Sequence, residues 1–222
     1  MHRFFNSVPA AIAWRYAAHS AMVGIAIWNE ARPAPAIPDL LLPHIPKVAW
    51  IANHNYHIWL LCYIPLAVWL WRIDRRAFLH FLWLGGALSL VRGLCIPLAG
   101  LGPCDGPDVN AGISASTMWH SWLAIVNPFT ALTTNAAHVG LTKDMFFSGH
   151  VATTFLLWLY ARPHRLLGPL ALAAHLTVTA AVFLAHLHYT IDVVGAWAIT
   201  GAMYAYAVNR WPVRESPGAE LR

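Results

Sequence analysis

The feature that most constrains this chain is a series of apolar runs, each near twenty residues, separated by joints of which all but the last carry arginine or lysine. Six can be drawn, at about 9–28, 52–71, 77–97, 146–161, 166–186 and 189–208. A helix rises ~1.5 Å per residue, so ~20 apolar residues cross a hydrocarbon layer ~30 Å thick. Charge is too sparse for water to be the solvent: 59% of the 222 residues are hydrophobic and 10% are charged, against about 25% charged in a soluble domain. The expectation is an all-α integral membrane protein, a single domain over residues 1–222 with six transmembrane helices. Twelve Trp and seven Tyr suit a chain that meets two membrane–water interfaces.

The basic residues orient the chain. With both ends in the cytoplasm, Arg3, Arg72, Arg75, Arg76, Arg162, Arg165, Arg210, Arg214 and Arg222 lie inside, Arg32, Lys47 and Lys143 lie outside, and Arg15 and Arg92 fall within helices. That bias satisfies the positive-inside rule, and the inverted topology violates it. The net charge of +5 is thereby read as a topology signal, not a nucleic-acid surface. Outer loops fall at about 29–51 and 98–145, and a cytoplasmic tail at about 209–222. Pro33, Pro35, Pro38, Pro43 and Pro46 exclude a regular helix from the first loop. In the second, Ser114–Val126 reads as an interfacial or re-entrant helix. Residues 31–36 resemble a signal-peptide cleavage site, but Arg15, Tyr16, His19 and Ser20 interrupt the run before it, so the first helix is kept. Cys62, Cys95 and Cys104 show neither metal spacing nor a disulfide framework. The short loops suggest a bacterial inner-membrane protein.

Ionisable residues inside membrane segments are costly and mark functional sites. The fourth run opens on Lys143-Asp144-Met145-Phe146-Phe147-Ser148-Gly149-His150, and the sixth on His186-Leu187-His188-Tyr189-Thr190-Ile191-Asp192. Loop charge puts both openings on the outer side, where they can converge. His188 and Asp192 are four apart and share a helix face. A carboxylate there fixes one imidazole nitrogen as N–H and leaves the other free to attack. A His–Asp pair that only ties helices together has the same pattern. Ser148-Gly149-His150 at a helix start offers backbone N–H groups to a phosphate, a serine donor, a glycine that permits close approach, and an acid for a leaving oxygen. An N-capping serine before a packed histidine is the plain alternative. His80, His164 and His175 stand alone and read as interfacial or packing residues.

Together the two openings resemble the shared core of the type-2 phosphatidic acid phosphatase superfamily, and most closely its sphingomyelin synthase branch. That branch carries Cys-Gly-Asp-x-x-x-Ser-Gly-His-Thr and, later, His-Tyr-Thr-x-Asp-Val. This chain has Asp144, Ser148, Gly149 and His150 in register, then His188, Tyr189, Thr190, Asp192 and Val193. Pro38-Asp39 resembles a Pro-Leu-Pro-Asp element before the second helix, and Arg75, Arg76 and Arg92 loosely resemble an arginine-rich element of the third. The resemblance implies a six-helix phosphatidic acid phosphatase-like bundle with its active site on the non-cytoplasmic side. It implies a phosphotransferase that moves a phospho-headgroup from a phospholipid to a lipid alcohol, of ceramide or diacylglycerol type, through a phospho-histidine. His188 would be the nucleophile, His150 the acid and Asp192 the orienting group, with no metal or other cofactor. Ser148, Gly149, Asp144, Arg92, Lys143 and Tyr189 would contact substrate.

The chain departs from the pattern at several points. Thr142-Lys143 replaces Cys-Gly, Val151 replaces Thr, and Trp197 stands where the branch favours Tyr. The arginine motifs of the phosphatases are not evident, and Val182 occupies the position six before His188. Arg92 and Lys143 are then the candidates to meet phosphate charge, unless the first snorkels and the second anchors the interface. Water as the acceptor would make the same residues a lipid phosphate phosphatase or a phospholipase C-type hydrolase. From another class, thirteen histidines in a helical bundle also suit a membrane haem or metal protein. A transporter is disfavoured, because no pair of interrupted helices stands in symmetric positions.

Overall fold

A computed structural model describes residues 7–133 and 140–212. Its regular structure is all α-helical: α1 (Val8–Glu30), α2 (Ala49–Ile73), α3 (Arg75–Ala99), α4 (Ala115–Val126), α5 (Pro128–Thr133), α6 (Gly149–Ala161), α7 (Leu167–Leu184) and α8 (Thr190–Arg210), with a 3₁₀ turn at Leu42–His44. Arg3, Arg214 and Arg222, used above for topology, lie outside the described residues.

Local signals place most helix ends. Ser7 caps α1, Asp74 caps α3 through a 2.9 Å bond from Ala77 N, and Ser114 caps α4. The α3 helix stops at Gly100, whose left-handed backbone (φ 60°) suits a residue without a Cβ. The proline-rich stretch after α1 stays irregular apart from its single 3₁₀ turn. The helix expected near Ser114–Val126 forms, contains no buried residue, and packs on α1.

Four helices, α2, α3, α7 and α8, are long and apolar enough to cross a membrane. The two other expected spans fall short for different reasons. With 23 residues α1 has the length, but Arg15, Tyr16 and His19 dilute its hydropathy. With 13 residues, α6 reaches only ~20 Å. It starts at Gly149 rather than at 146 because Ser148 caps it. It needs no lipid-facing length of its own, since it sits inside the bundle against α2, α3, α7 and α8. Val151, Leu156, Leu157 and Tyr160 on α6 join Phe81 of α3 and Val193 of α8 in one buried apolar cluster.

The other packing relation that matters concerns α1 and α2. Each packs on α3, α1 most extensively, but the two make no extensive contact with each other. A cleft is left between them, floored by α3 and α6.

Polar bolts hold together the end of the bundle that carries both openings. Glu30, fully buried, accepts from Lys143 N at 2.5 Å, Thr142 Oγ1 at 2.7 Å and Asn110 Nδ2 at 2.9 Å. Asp39 accepts from the backbone N–H of Thr190 at 2.6 Å and its hydroxyl at 2.7 Å, and from Leu41 and Leu42 N at 2.8 and 3.0 Å. A carboxylate from the first outer loop thus caps the first turn of α8.

Burial alone would raise the Asp39 carboxyl, but the bonds from Leu42, Thr190 and Leu41 outweigh it and hold the group below its ordinary range. A carboxylate depressed in the folded state stabilises at neutral pH, and that contribution is lost as pH falls through its folded value. Asp39→Asn should lower the melting temperature of detergent-solubilised protein at pH 7 by about 2–6 °C. The gap to wild type should close as the pH drops below ~4. A gap that is the same at every pH would show that the Asp39 charge does not hold α8.

Candidate functional site

The site begins with a buried carboxylate. Asp192, in the first turn of α8, is fully buried and accepts three hydrogen bonds. Its Oδ2 receives Tyr189 N and His188 Nδ1, each at 3.1 Å, and its Oδ1 receives Phe146 N at 3.0 Å. The backbone adds a fourth link, from Ser148 N to Asp192 O at 3.1 Å. The two motif-bearing openings, 46 residues apart at Phe146 and Asp192, are thereby clamped on one side chain.

The clamp sets the chemistry of His188. A carboxylate only accepts, so Nδ1 carries the proton and Nε2 keeps its lone pair. His188 lines a cavity of about 400 Å³, and His150, from the first turn of α6, lines the same cavity. The Trp59 ring of α2 meets His150 edge-on with ring centres 5.5 Å apart, and Tyr63 stacks on Trp59 at 5.1 Å. The cavity occupies the cleft between α1 and α2, with Ile12, Val23, Leu82 and Leu88 among its apolar walls. An imidazole with a free nitrogen, beside a second imidazole in a cleft with apolar walls, is equipped to attack an electrophile bound there.

Arg92 supplies a fixed cation at the cavity. Buried in α3, it donates from Nε to Phe147 O at 2.6 Å and from one terminal nitrogen to Asp144 O at 2.8 Å and Asp144 Oδ2 at 2.7 Å. It does not snorkel; it turns inward and holds the 144–147 turn. Gly149 makes room for it, because a Cβ there would stand 3.3 Å from the guanidinium carbon. Arg92, Asp144 and Gly149 all line the cavity.

The remaining expected contacts are placed elsewhere. Lys143 is fully buried, donates to Asp108 Oδ1 at 2.5 Å and Arg32 O at 2.8 Å, and is not among the cavity-lining residues. It neutralises a carboxylate from the second outer loop. Ser148 caps α6 through Val151 N at 3.5 Å and also stays off the cavity wall. The Tyr189 hydroxyl accepts from Ile37 N at 3.1 Å and lies 3.0 Å from Pro103 O, so it pins both outer loops rather than facing the cavity. Cys104 donates to His186 O at 3.0 Å. Burial, then the charges of Asp192 and Asp105, pushes its thiol up to about 12, so it is no nucleophile at neutral pH.

Sequence reasoning missed the far wall. Arg15 and His19 of α1 both line the cavity. They are four apart in an otherwise apolar helix, the same signal of an ionisable group among apolar residues that singled out Arg92. His175, read as a packing residue, makes a polar chain. Trp197 Nε1 donates to its Nε2 at 3.0 Å, its Nδ1 meets Thr154 Oγ1 at 3.0 Å, and Thr154 lies 3.0 Å from His150 O. Because indole only donates, the chain runs in one direction, from α8 through α7 to the first turn of α6.

Arg92→Met should destabilise the protein by roughly 3–5 kcal/mol, because it strands the Asp144 carboxylate and two carbonyls. Asp144→Asn, which keeps an acceptor for the guanidinium, should cost less. Chemical denaturation in detergent reads both. An Arg92→Met protein as stable as wild type would mean that Arg92 is not the bolt of this turn.

Residues 143–209, from the turn that carries Asp144 to the end of α8, match the family model described as PAP2 superfamily C-terminal. The matched stretch is less than a third of the chain. No curated protein matches the chain. The matched residues contain both openings clamped by Asp192, and the match supports the type-2 phosphatidic acid phosphatase superfamily without selecting a branch within it.

Proposed function

We propose that this protein cleaves a phosphate ester of a membrane lipid through a phospho-histidine on His188. Its first reading is a phosphotransferase that hands the phospho-headgroup to a lipid alcohol, of ceramide or diacylglycerol type. The observation that carries the proposal is the pairing at the cavity: His188, its Nδ1 held by buried Asp192, shares one cavity with His150.

The chemistry balances with the chain's own residues. The Nε2 lone pair of His188 attacks phosphorus, and the bond from phosphorus to the leaving oxygen breaks. The departing electron pair is met by a proton from His150. Asp192 stabilises the charge that forms on His188. In the second half the acceptor hydroxyl gives its proton to His150 while its oxygen attacks phosphorus and releases His188. Arg92, beside Asp144, favours the phosphate oxygens. Lys143 and Ser148 act through the loops they hold.

The transfer reading is supported by the His188-Tyr189-Thr190-Ile191-Asp192-Val193 string and by the apolar walls of the cleft between α1 and α2. A second reading, hydrolysis with water as acceptor, is supported by the superfamily match, since phosphatase-type activity is what that superfamily suggests. In both readings α1 and α6 join the four apolar helices to make six membrane-embedded segments. The site then opens to the non-cytoplasmic side of a bacterial inner membrane.

Purified protein given phospholipid labelled in its headgroup phosphate, with and without ceramide or diacylglycerol, separates the two. Label in a new lipid only when acceptor is present supports transfer; water-soluble label regardless of acceptor supports hydrolysis. His188→Ala should abolish either product, and Asp192→Asn should slow it at least ~100-fold. A His188→Ala protein that turns over at the wild-type rate removes His188 as the nucleophile.

A further inference from the structure

The cavity has a second cation that the chemistry above does not use. Arg15 lies in the eighth position of the 23-residue α1, ~10 Å from the helix start and ~22 Å from its outer end. A guanidinium at that depth is costly and needs a partner. Arg92 has the Asp144 carboxylate, whereas no carboxylate lies within ion-pair distance of Arg15 among the described residues. The Arg15 contacts are neutral and come mostly from one nitrogen, which meets Gly85 O and, at 2.6 Å, Ser89 Oγ; the Tyr63 hydroxyl is a further partner. A Cβ at residue 85 would stand 3.2 Å from the guanidinium carbon, so Gly85 is what lets the group lie flat on α3. With Arg15, Tyr63 and Ser89 all lining the cavity, N–H groups of the fork remain to face whatever fills it.

The depth of this group selects the ligand chemistry. Ser89 and Gly85 are three and seven residues before Arg92 on α3, so Arg15 is anchored ~4–10 Å inward of Arg92 along the helix. In a lipid whose phosphate sits at His188 and His150 and whose chains run inward, the next oxygens are the carbonyls joining the chains to the backbone. About five bonds separate such a carbonyl carbon from phosphorus, roughly 6 Å when extended, since a bond of ~1.5 Å advances only ~1.25 Å along a zigzag chain. The carbonyl falls within that window. A second phosphate on the same lipid would sit closer to the first, beside Arg92.

We infer that Arg15 is a substrate-recognition residue that donates hydrogen bonds to the ester or amide carbonyl of the lipid's chain linkage, while the phosphate lies at the histidine pair. This rests on the proposed function for where the phosphate sits. The protein is then selective for acyl lipids over ether lipids of the same headgroup and chain length. An Arg15 that only staples α1 to α3 confers no such selectivity.

The probes are diacyl phosphatidic acid and its dialkyl ether counterpart, matched in chain length and presented in detergent micelles. Binding is read as the lipid-induced shift in melting temperature. Wild type should bind the ester lipid about tenfold or more tightly, the discrimination expected when a charged donor loses its acceptor. In Arg15→Met the preference should collapse to within about twofold, and in Arg15→Lys, which keeps charge without the fork, it should fall to an intermediate value. A wild-type preference under twofold overturns the inference whether or not Arg15→Met folds. So does an Arg15→Met protein that loses both lipids equally and keeps the ratio. Because binding is a readout separate from turnover, an intact ester preference in a protein that cleaves no phosphate ester would fail the functional proposal alone.

Discussion

The carboxylate of Asp192 is the interaction on which the rest of this architecture depends. It is fully buried and takes hydrogen bonds from Phe146 N, Tyr189 N and His188 Nδ1. A buried charge without such partners costs several kcal/mol, and with them it becomes a strict geometric constraint. The three donors come from the loop before α6 and from the two residues that precede α8. Neither segment can shift without leaving a donor or the carboxylate unpaired. One residue therefore assembles the two halves of the site and fixes the tautomer of the imidazole beside it.

The surrounding polar contacts extend that constraint outward. Asp39 caps the first turn of α8 from the first outer loop, and Tyr189 pins that loop and the second one. Arg92 holds the 144–147 turn from α3, and Glu30 holds residues 142 and 143 from α1. The α6 helix, only 13 residues long, starts from this scaffold and can be short because it packs inside the bundle against α2, α3, α7 and α8. The cavity is left where α1 and α2 fail to pack together. A cleft between two helices suits a substrate that arrives through a bilayer.

Local pattern and residue chemistry carried much of this. The apolar runs gave the long helices, and the four-residue spacing of His188 and Asp192 gave the pair that forms; Ser148, expected at the substrate with a cap as the plain alternative, caps α6. The convergence of the two openings followed from loop charge alone. Tertiary partners were not legible. Lys143 looked like a phosphate ligand because nothing in its neighbourhood reveals Asp108, 35 residues earlier, as its counter-ion. Tyr189 looked like a substrate contact because its partners, Ile37 and Pro103, lie far away in sequence. The cavity wall on α1 was hidden for the same reason: that α1 lies on α3, and not on α2, is a packing outcome that no periodicity encodes. Arg15 was visible as an ionisable residue in an apolar helix and was passed over.

The central claim is that His188 carries the phosphoryl group. The most direct measurement is to quench a reaction with labelled phospholipid at alkaline pH and map the modified peptide by mass spectrometry. The account predicts an acid-labile, base-stable phosphoryl group on the peptide that contains His188, absent from Asp192→Asn. Label on another residue, or turnover with no phosphorylated peptide at any quench time, would contradict it.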